Sequence, residues 1–151
     1  IADDTIPCVD LIYPDPGFIV ERKDNLLGII LTHAHEDHIG AIAHLWPKLK
    51  CKIYATAFTA VLITEKFKEK NIDITKDLKI VELNGNVSLE SFDIEYITLT
   101  HSILEPNGLR IKTPAGTILH TGDCKVDPNP LVGGEINSKR LKLLNLLCNH
   151  L

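Results

Sequence analysis

The apolar run Leu26–Thr32 ends directly in a cluster of ionisable side chains, His33-Ala34-His35-Glu36-Asp37-His38. That juncture restricts the possible architecture more than any other feature. A continuous apolar run of this length fits a strand buried on both faces, so the cluster stands at the C-terminal end of a buried strand. In extended backbone alternate side chains share a side, which sends His33 and His35 the same way. Asp37 and His38, where the chain turns into the next helix, can face the same pocket from another angle. Neutral imidazole and carboxylate are preferred ligands of zinc and similar ions. Two ligand pairs so spaced can serve two ions about 3.5–4 Å apart, as in two-metal hydrolases. The plain alternative is a polar loop that happens to hold three histidines. With seven His in 151 residues, three within six positions is too dense for chance.

Around this cluster, strands and helices alternate at first. Residues 1–20, with Pro7, Pro14 and Pro16, read as a loop with one short apolar stretch. Ile39–Leu45 has helical spacing and Pro47 is expected to end it. Lys52–Ala55 reads as a short strand. Phe58–Lys70 reads as a helix with Val61, Leu62 and Phe67 on its apolar face and a solvated Lys/Glu face. The second half changes rhythm. Leu78–Leu83, Val87–Leu89, Phe92–Thr100, Leu109–Lys112 and Thr117–Thr121 read as strands, with Asn84-Gly85-Asn86 and Pro114-Ala115-Gly116 as hairpin signals. Leu141–Leu147 looks helical. The expected fold class is therefore α/β, in layers, with a sheet of mixed direction. No Gly-rich phosphate loop follows a strand, which excludes a doubly wound nucleotide fold.

Length suits one domain or most of one. With 44% hydrophobic and 24% charged residues the chain can bury a core, which excludes a disordered tail or a disulfide-dense miniprotein. No apolar run approaches the roughly 20 residues of a membrane helix. A formal charge of −4 argues against nucleic-acid binding by bulk electrostatics, though not against a phosphate gripped locally through metal. Lys48, Lys50 and Lys52 alternate without interleaved aromatics and read as solubility charge. Cys8, Cys51, Cys124 and Cys148 contain no C-x-x-C pair and read as reduced thiols, so a cytoplasmic location is expected. The sequence has no Met and opens on Ile1, from which a piece of a longer protein is expected.

The pattern H-x-H-x-D-H after a hydrophobic strand resembles the signature of the metallo-β-lactamase superfamily. That family calls next for a lone His after a later strand and a bridging Asp after another. Thr100-His101-Ser102 and His120-Thr121-Gly122-Asp123 stand in that order. The resemblance implies a partial αββα sandwich with mixed sheets and two Zn2+ ions, or Mn2+. His33, His35 and His101 would hold the first ion, Asp37 and His38 the second, with Asp123 bridging. The stretch Val9–Asp127, including Gly108–Thr117 and Cys124-Lys125-Val126-Asp127, is similar to the ribonuclease J group of β-CASP nucleases. This implies metal-assisted phosphodiester hydrolysis on RNA, with Asp37 as proton acceptor; Ser102, beside the third ligand, could touch a phosphate, though a strand-end hydroxyl is usually just a cap. It also implies a full-length relative that is homo-oligomeric. Residues 1–127 would be a metallo-β-lactamase domain without its first strands, and 128–151 an atypical tail. The β-CASP domain, which carries a later His ligand and a general acid in that group, would be absent.

Other residues have plainer readings. Cys124 alternates away from Asp123, His120 reads as a supporting or core histidine, His44 as structural and Glu36 as a solvent-facing spacer. His150 stands in the tail. Two rival functions remain open: a thioester or lactam hydrolase of the same fold, and a remnant that at most binds metal.

Overall fold

The computed structural model describes residues 12–134 and Ile136. Cys8, Cys148, His150 and the helix expected over Leu141–Leu147 lie outside the described residues. The first elements are a helical turn α1 (Gly17–Val20) and a 3-10 turn over Lys23–Asn25. Then follow β1 (Ile29–Ile30), α2 (Glu36–Ile39), α3 (Ile42–Leu49), β2 (Ile53–Ala55), α4 (Ala57–Glu69) and β3 (Leu78–Ile80). β4 (Asn86–Leu89), β5 (Phe92–Thr98), β6 (Asn107–Thr113) and β7 (Gly116–His120) complete the order.

Helical connections return the chain to the same end of a sheet, so β1, β2 and β3 are parallel, in that order. Tight turns after β4 and β6 and a longer loop after β5 join β4 to β7 into an antiparallel meander. β2 shows how the two sheets stack. Ile53 and Ala55, both fully buried, point to one face and pack with Trp46, Ile63 and Phe67 of α3 and α4. Tyr54 points to the other face and joins Val87, Ile94, Tyr96 and Leu109 of the meander. The result is a helix layer, a parallel sheet and an antiparallel sheet, and among the described residues no helix follows Glu69. The Tyr96 hydroxyl donates to the Tyr54 carbonyl at 3.0 Å across the sheets, and burial holds its pKa above the usual value. On the outer face, Arg110 donates to Glu95 at 2.6 Å, where the two are cross-strand partners.

Four expectations are corrected. The strand read over Leu26–Thr32 is a ladder of only Ile29–Ile30, and both are part-buried; burial instead deepens over Leu31–Ala34 beyond it. Among the described residues β1 stands at the edge of its sheet, paired only with β2. Pro47 does not end the helix: α3 runs through it to Leu49 and stops at Lys50, in the left-handed region at φ 51°. Pro47 forgoes the one intrahelical bond its missing N–H would make to Ala43, while its fixed φ stays compatible with the helix that continues to Leu49. Asn84-Gly85-Asn86 is no hairpin, because β3 and β4 belong to different sheets. It is the crossing between layers, held by Asn84, whose side-chain oxygen accepts the Thr98 N–H at 3.1 Å. Val61 is 62% exposed, and the buried face of α4 is Thr59, Ala60, Ile63 and Phe67. Pro114-Ala115-Gly116 does turn β6 into β7, as expected. No helix among the described residues is long and apolar enough to cross a membrane.

This assignment of faces sets an expected contrast on α4. Phe67→Ala should cost about 3–5 kcal/mol in urea unfolding, the cost of emptying a large buried site. Val61→Ala should stay within about 0.5 kcal/mol, as for other surface changes.

Candidate metal centre

Sheet direction decides where the polar side chains gather. β5 and β7 both run antiparallel to β6, so their C-terminal ends lie at the same end of the meander. His101 leaves β5 there and Asp123 leaves β7 there. The segment after β1 reaches that end from the parallel sheet, where the Thr32 carbonyl accepts the Asn107 N–H at 3.1 Å.

Side chains as distant in sequence as His38 and Asp123 thus meet at short range. His33 Nε2 lies 3.2 Å from His35 Nδ1, and His101 Nε2 lies 3.0 Å from the same atom. The alternation expected of His33 and His35 holds. Asp37 and His38 stand on α2, the short helix that turns them toward the same opening. His38 Nε2 is 3.3 Å from Asp123 Oδ2 and 3.6 Å from Asp37 Oδ2. His101 Nε2 is 3.8 Å from Asp123 Oδ2. Two groups result, His33, His35, His101 and Asp123, and Asp37, His38 and Asp123, each offering ligand atoms within 4.8 Å of one another. Asp123 belongs to both.

Burial grades across the site. His33 is fully buried, while the side chains of Asp37 and Asp123 are 65% and 45% exposed. Burial first, then the neighbouring His38 and His35 rings, lower the His33 pKa from 6.5 to about 4, with Asp123 pulling the other way. For Asp123 partial desolvation pushes upward, but the hydrogen bond and charge of His38 outweigh it and hold the carboxyl below its ordinary value. His33 Nδ1 lies 3.0 Å from the Thr32 hydroxyl, and a proton on Nδ1 donated there leaves Nε2 with its lone pair facing His35. That is how metal-ligating histidines are usually oriented. Imidazoles with two carboxylates at the mouth are a donor set suited to a divalent metal ion.

The remaining candidates fall outside the convergence. Ser102 is exposed beside His101, and Cys124 is an exposed free thiol. His120 is exposed and not a core histidine; its Nδ1 accepts the Gly122 N–H at 3.1 Å and shapes the turn before Asp123. His44 stacks near Tyr13 with ring centroids 5.7 Å apart. Glu36 is exposed, as a spacer should be, yet both its oxygens accept from Lys66 of α4, at 2.8 and 2.6 Å. Thr32 and Asn107 went unsingled by sequence reasoning. Thr32 had one available signal, its place directly before the first ligand; Asn107 had none.

The beta-lactamase superfamily domain model matches residues 7–147. The chain belongs to the beta-lactamase superfamily. Among solved structures of this superfamily's fold, the metallo-beta-lactamase fold protein YhfI from Bacillus subtilis is similar. It shares a TM-score of 0.52 at 22% identity over 72% of this chain and 45% of its own. Igni18, a metallo hydrolase from Ignicoccus hospitalis, gives 0.50 at 21% identity over 67% of this chain and 43% of its own. In sequence the superfamily member described here is similar to Ribonuclease J of Sinorhizobium meliloti, 38% identical over 95% of this chain. It is 44% identical to Ribonuclease J of Helicobacter pylori over 82% of this chain. It spans 27% and 18% of the length of those two relatives.

The buried, neutral His33 makes metal-free stability depend on pH with a definite sign. Its folded pKa lies below 6.5, so between about pH 6.5 and 4 the unfolded chain binds the extra proton. Stability of the metal-free protein should fall as pH drops through that window, followed by urea midpoint. His33→Asn should remove this part of the slope.

Proposed function

We propose that this chain carries the metal centre of a metal-dependent phosphodiester hydrolase acting on RNA, with that centre inside residues 1–127. The observation that carries the reading is Asp123, a carboxylate common to two adjoining donor groups, one of three imidazoles and one of Asp37 and His38. One carboxylate serving two groups suits a pair of ions. The RNA substrate comes from the likeness to the Ribonuclease J relatives, whose whole length is far greater than this chain.

In this reading His33, His35, His101 and Asp123 hold one divalent ion, and Asp37, His38 and Asp123 hold another, with zinc or manganese as the metal. When bound, such ions supply positive charge against the phosphate oxygens and a water acidic enough to ionise near neutral pH. The protein's own groups do the rest. Asp37, largely exposed and 3.6 Å from His38 Nε2, orients the attacking water and takes its proton. The Thr32 hydroxyl keeps the His33 proton on Nδ1, so that Nε2 stays a donor of electrons and not of hydrogen. Ser102, exposed next to His101, contacts a phosphate oxygen. Cys51 and Cys124 are free thiols, consistent with a cytoplasmic protein.

Two measurements test this. Metal analysis by mass spectrometry should find about two ions per purified chain, as a two-ion site requires; a metal-free protein that also fails to take up added Zn2+ or Mn2+ would leave only a remnant. The whole protein carrying this sequence should cleave 5′-monophosphorylated RNA and neither a thioester nor a cephalosporin. Turnover of either of the latter alone overturns the nuclease reading. Asp37→Asn should lower RNA cleavage by about 10²–10⁴-fold, the range for losing a positioned general base.

A further inference from the structure

We infer that Asn107 is a positioning residue for the three-histidine group: its side-chain amide holds the Thr32–His33 peptide, and through it the His33 imidazole, in ligating orientation. The inference rests on reading the cluster as a metal centre and extends it to a residue that offers no ligand atom to either group.

Asn107 opens β6 in the antiparallel sheet and is fully buried. Its Nδ2 donates to the Thr32 carbonyl at 3.0 Å and to the Glu105 carbonyl at 2.7 Å. Its backbone N–H donates to the same Thr32 carbonyl at 3.1 Å. One peptide oxygen thus receives two bonds from one residue of the opposite sheet. Because carbonyls only accept, the atom facing them must be the amide NH2, and the side chain has one chemically allowed orientation. The other end of the amide, Oδ1, is buried without a hydrogen-bond partner among the described residues. Buried polar atoms are seldom left so. The residue is kept for its two donors, at the expense of its acceptor.

Each bond leads to a ligand-bearing segment. Thr32, once fixed, places its hydroxyl 3.0 Å from His33 Nδ1. Glu105 ends the loop that begins at His101; its backbone is left-handed at φ 51°, and its carboxylate accepts the Phe58 N–H at 2.9 Å, which anchors that loop on α4. On the third side the chain closes over Asn107 at Gly122, where φ is +56° and a Cβ would stand 2.7 Å from the Asn107 carbonyl oxygen. Asp123 follows directly. A single residue therefore sits where the His33, His101 and Asp123 segments meet, its side chain bonded to the first two and its backbone carbonyl against the third.

The test is Co2+ titration of the purified chain, read by visible absorption, beside urea unfolding of each variant without metal. Asn107→Ala and Asn107→Ser should weaken Co2+ binding by about 10–100-fold, as for other residues that orient metal ligands, and should shift the cobalt absorption band. Asn107→Asp, which sets an oxygen against two carbonyls, should weaken it at least as much. Val87→Ala, in the core between the sheets, should lower the urea midpoint and leave cobalt affinity and band position unchanged. The inference is overturned if folded Asn107→Ser binds Co2+ with wild-type affinity and band, or if Val87→Ala loses binding to the same degree. Wild-type chain that binds no Co2+ sinks the metal-centre reading itself, and the inference with it.

Discussion

A fully buried imidazole whose near neighbours are three other imidazoles is the constraint on which the rest of the molecule turns. His33 cannot carry a proton cheaply where it lies, so it persists as a neutral base with one nitrogen committed to Thr32 and the other turned inward. Such a group is poor material for a core and good material for holding a cation. Its surroundings follow from that: carboxylates only at the open side, apolar packing behind, and a backbone tied down on both flanks.

The layers supply these conditions by simple alternation. Every second residue of β2 packs against the helices and the intervening one against the meander, so three residues serve two cores. The parallel sheet brings the His33–His38 segment to one end of the molecule. The meander, by reversing direction twice between β5 and β7, brings His101 and Asp123 to that end too. Neither sheet alone contains a complete donor set. Both candidate donor groups span the seam between them.

How much of this the sequence discloses depends on how local each determinant is. The His33–His38 cluster was legible because strand alternation and the following helix act within six residues, whereas His101 and Asp123 were picked out only by their resemblance to the superfamily's pattern of later strand-end residues. The Asn84-Gly85-Asn86 segment misled because hairpins and sheet-to-sheet crossings use the same left-handed residues. Its partner, Thr98 N–H, is 14 positions away. Val61 misled because α4 is weakly patterned, and a threonine, Thr59, shares its buried face. Pro47 misled because a proline removes one bond to the preceding turn without forbidding helical backbone at the residues that follow. Asn107 was invisible for a different reason. Its importance lies in bonds to a carbonyl 75 positions earlier, and no residue pattern announces a bond of that span.

The separation between His35 and His101, 66 positions, has a consequence for folding. Contacts of that span close large loops and form only after most chain entropy has been surrendered. The donor set can therefore form only once the two sheets have docked. An ion bound there would join side chains from both sheets, so its binding free energy would add to the docking free energy. Such a centre would also be a latch: sequestering its metal would loosen the seam between the sheets.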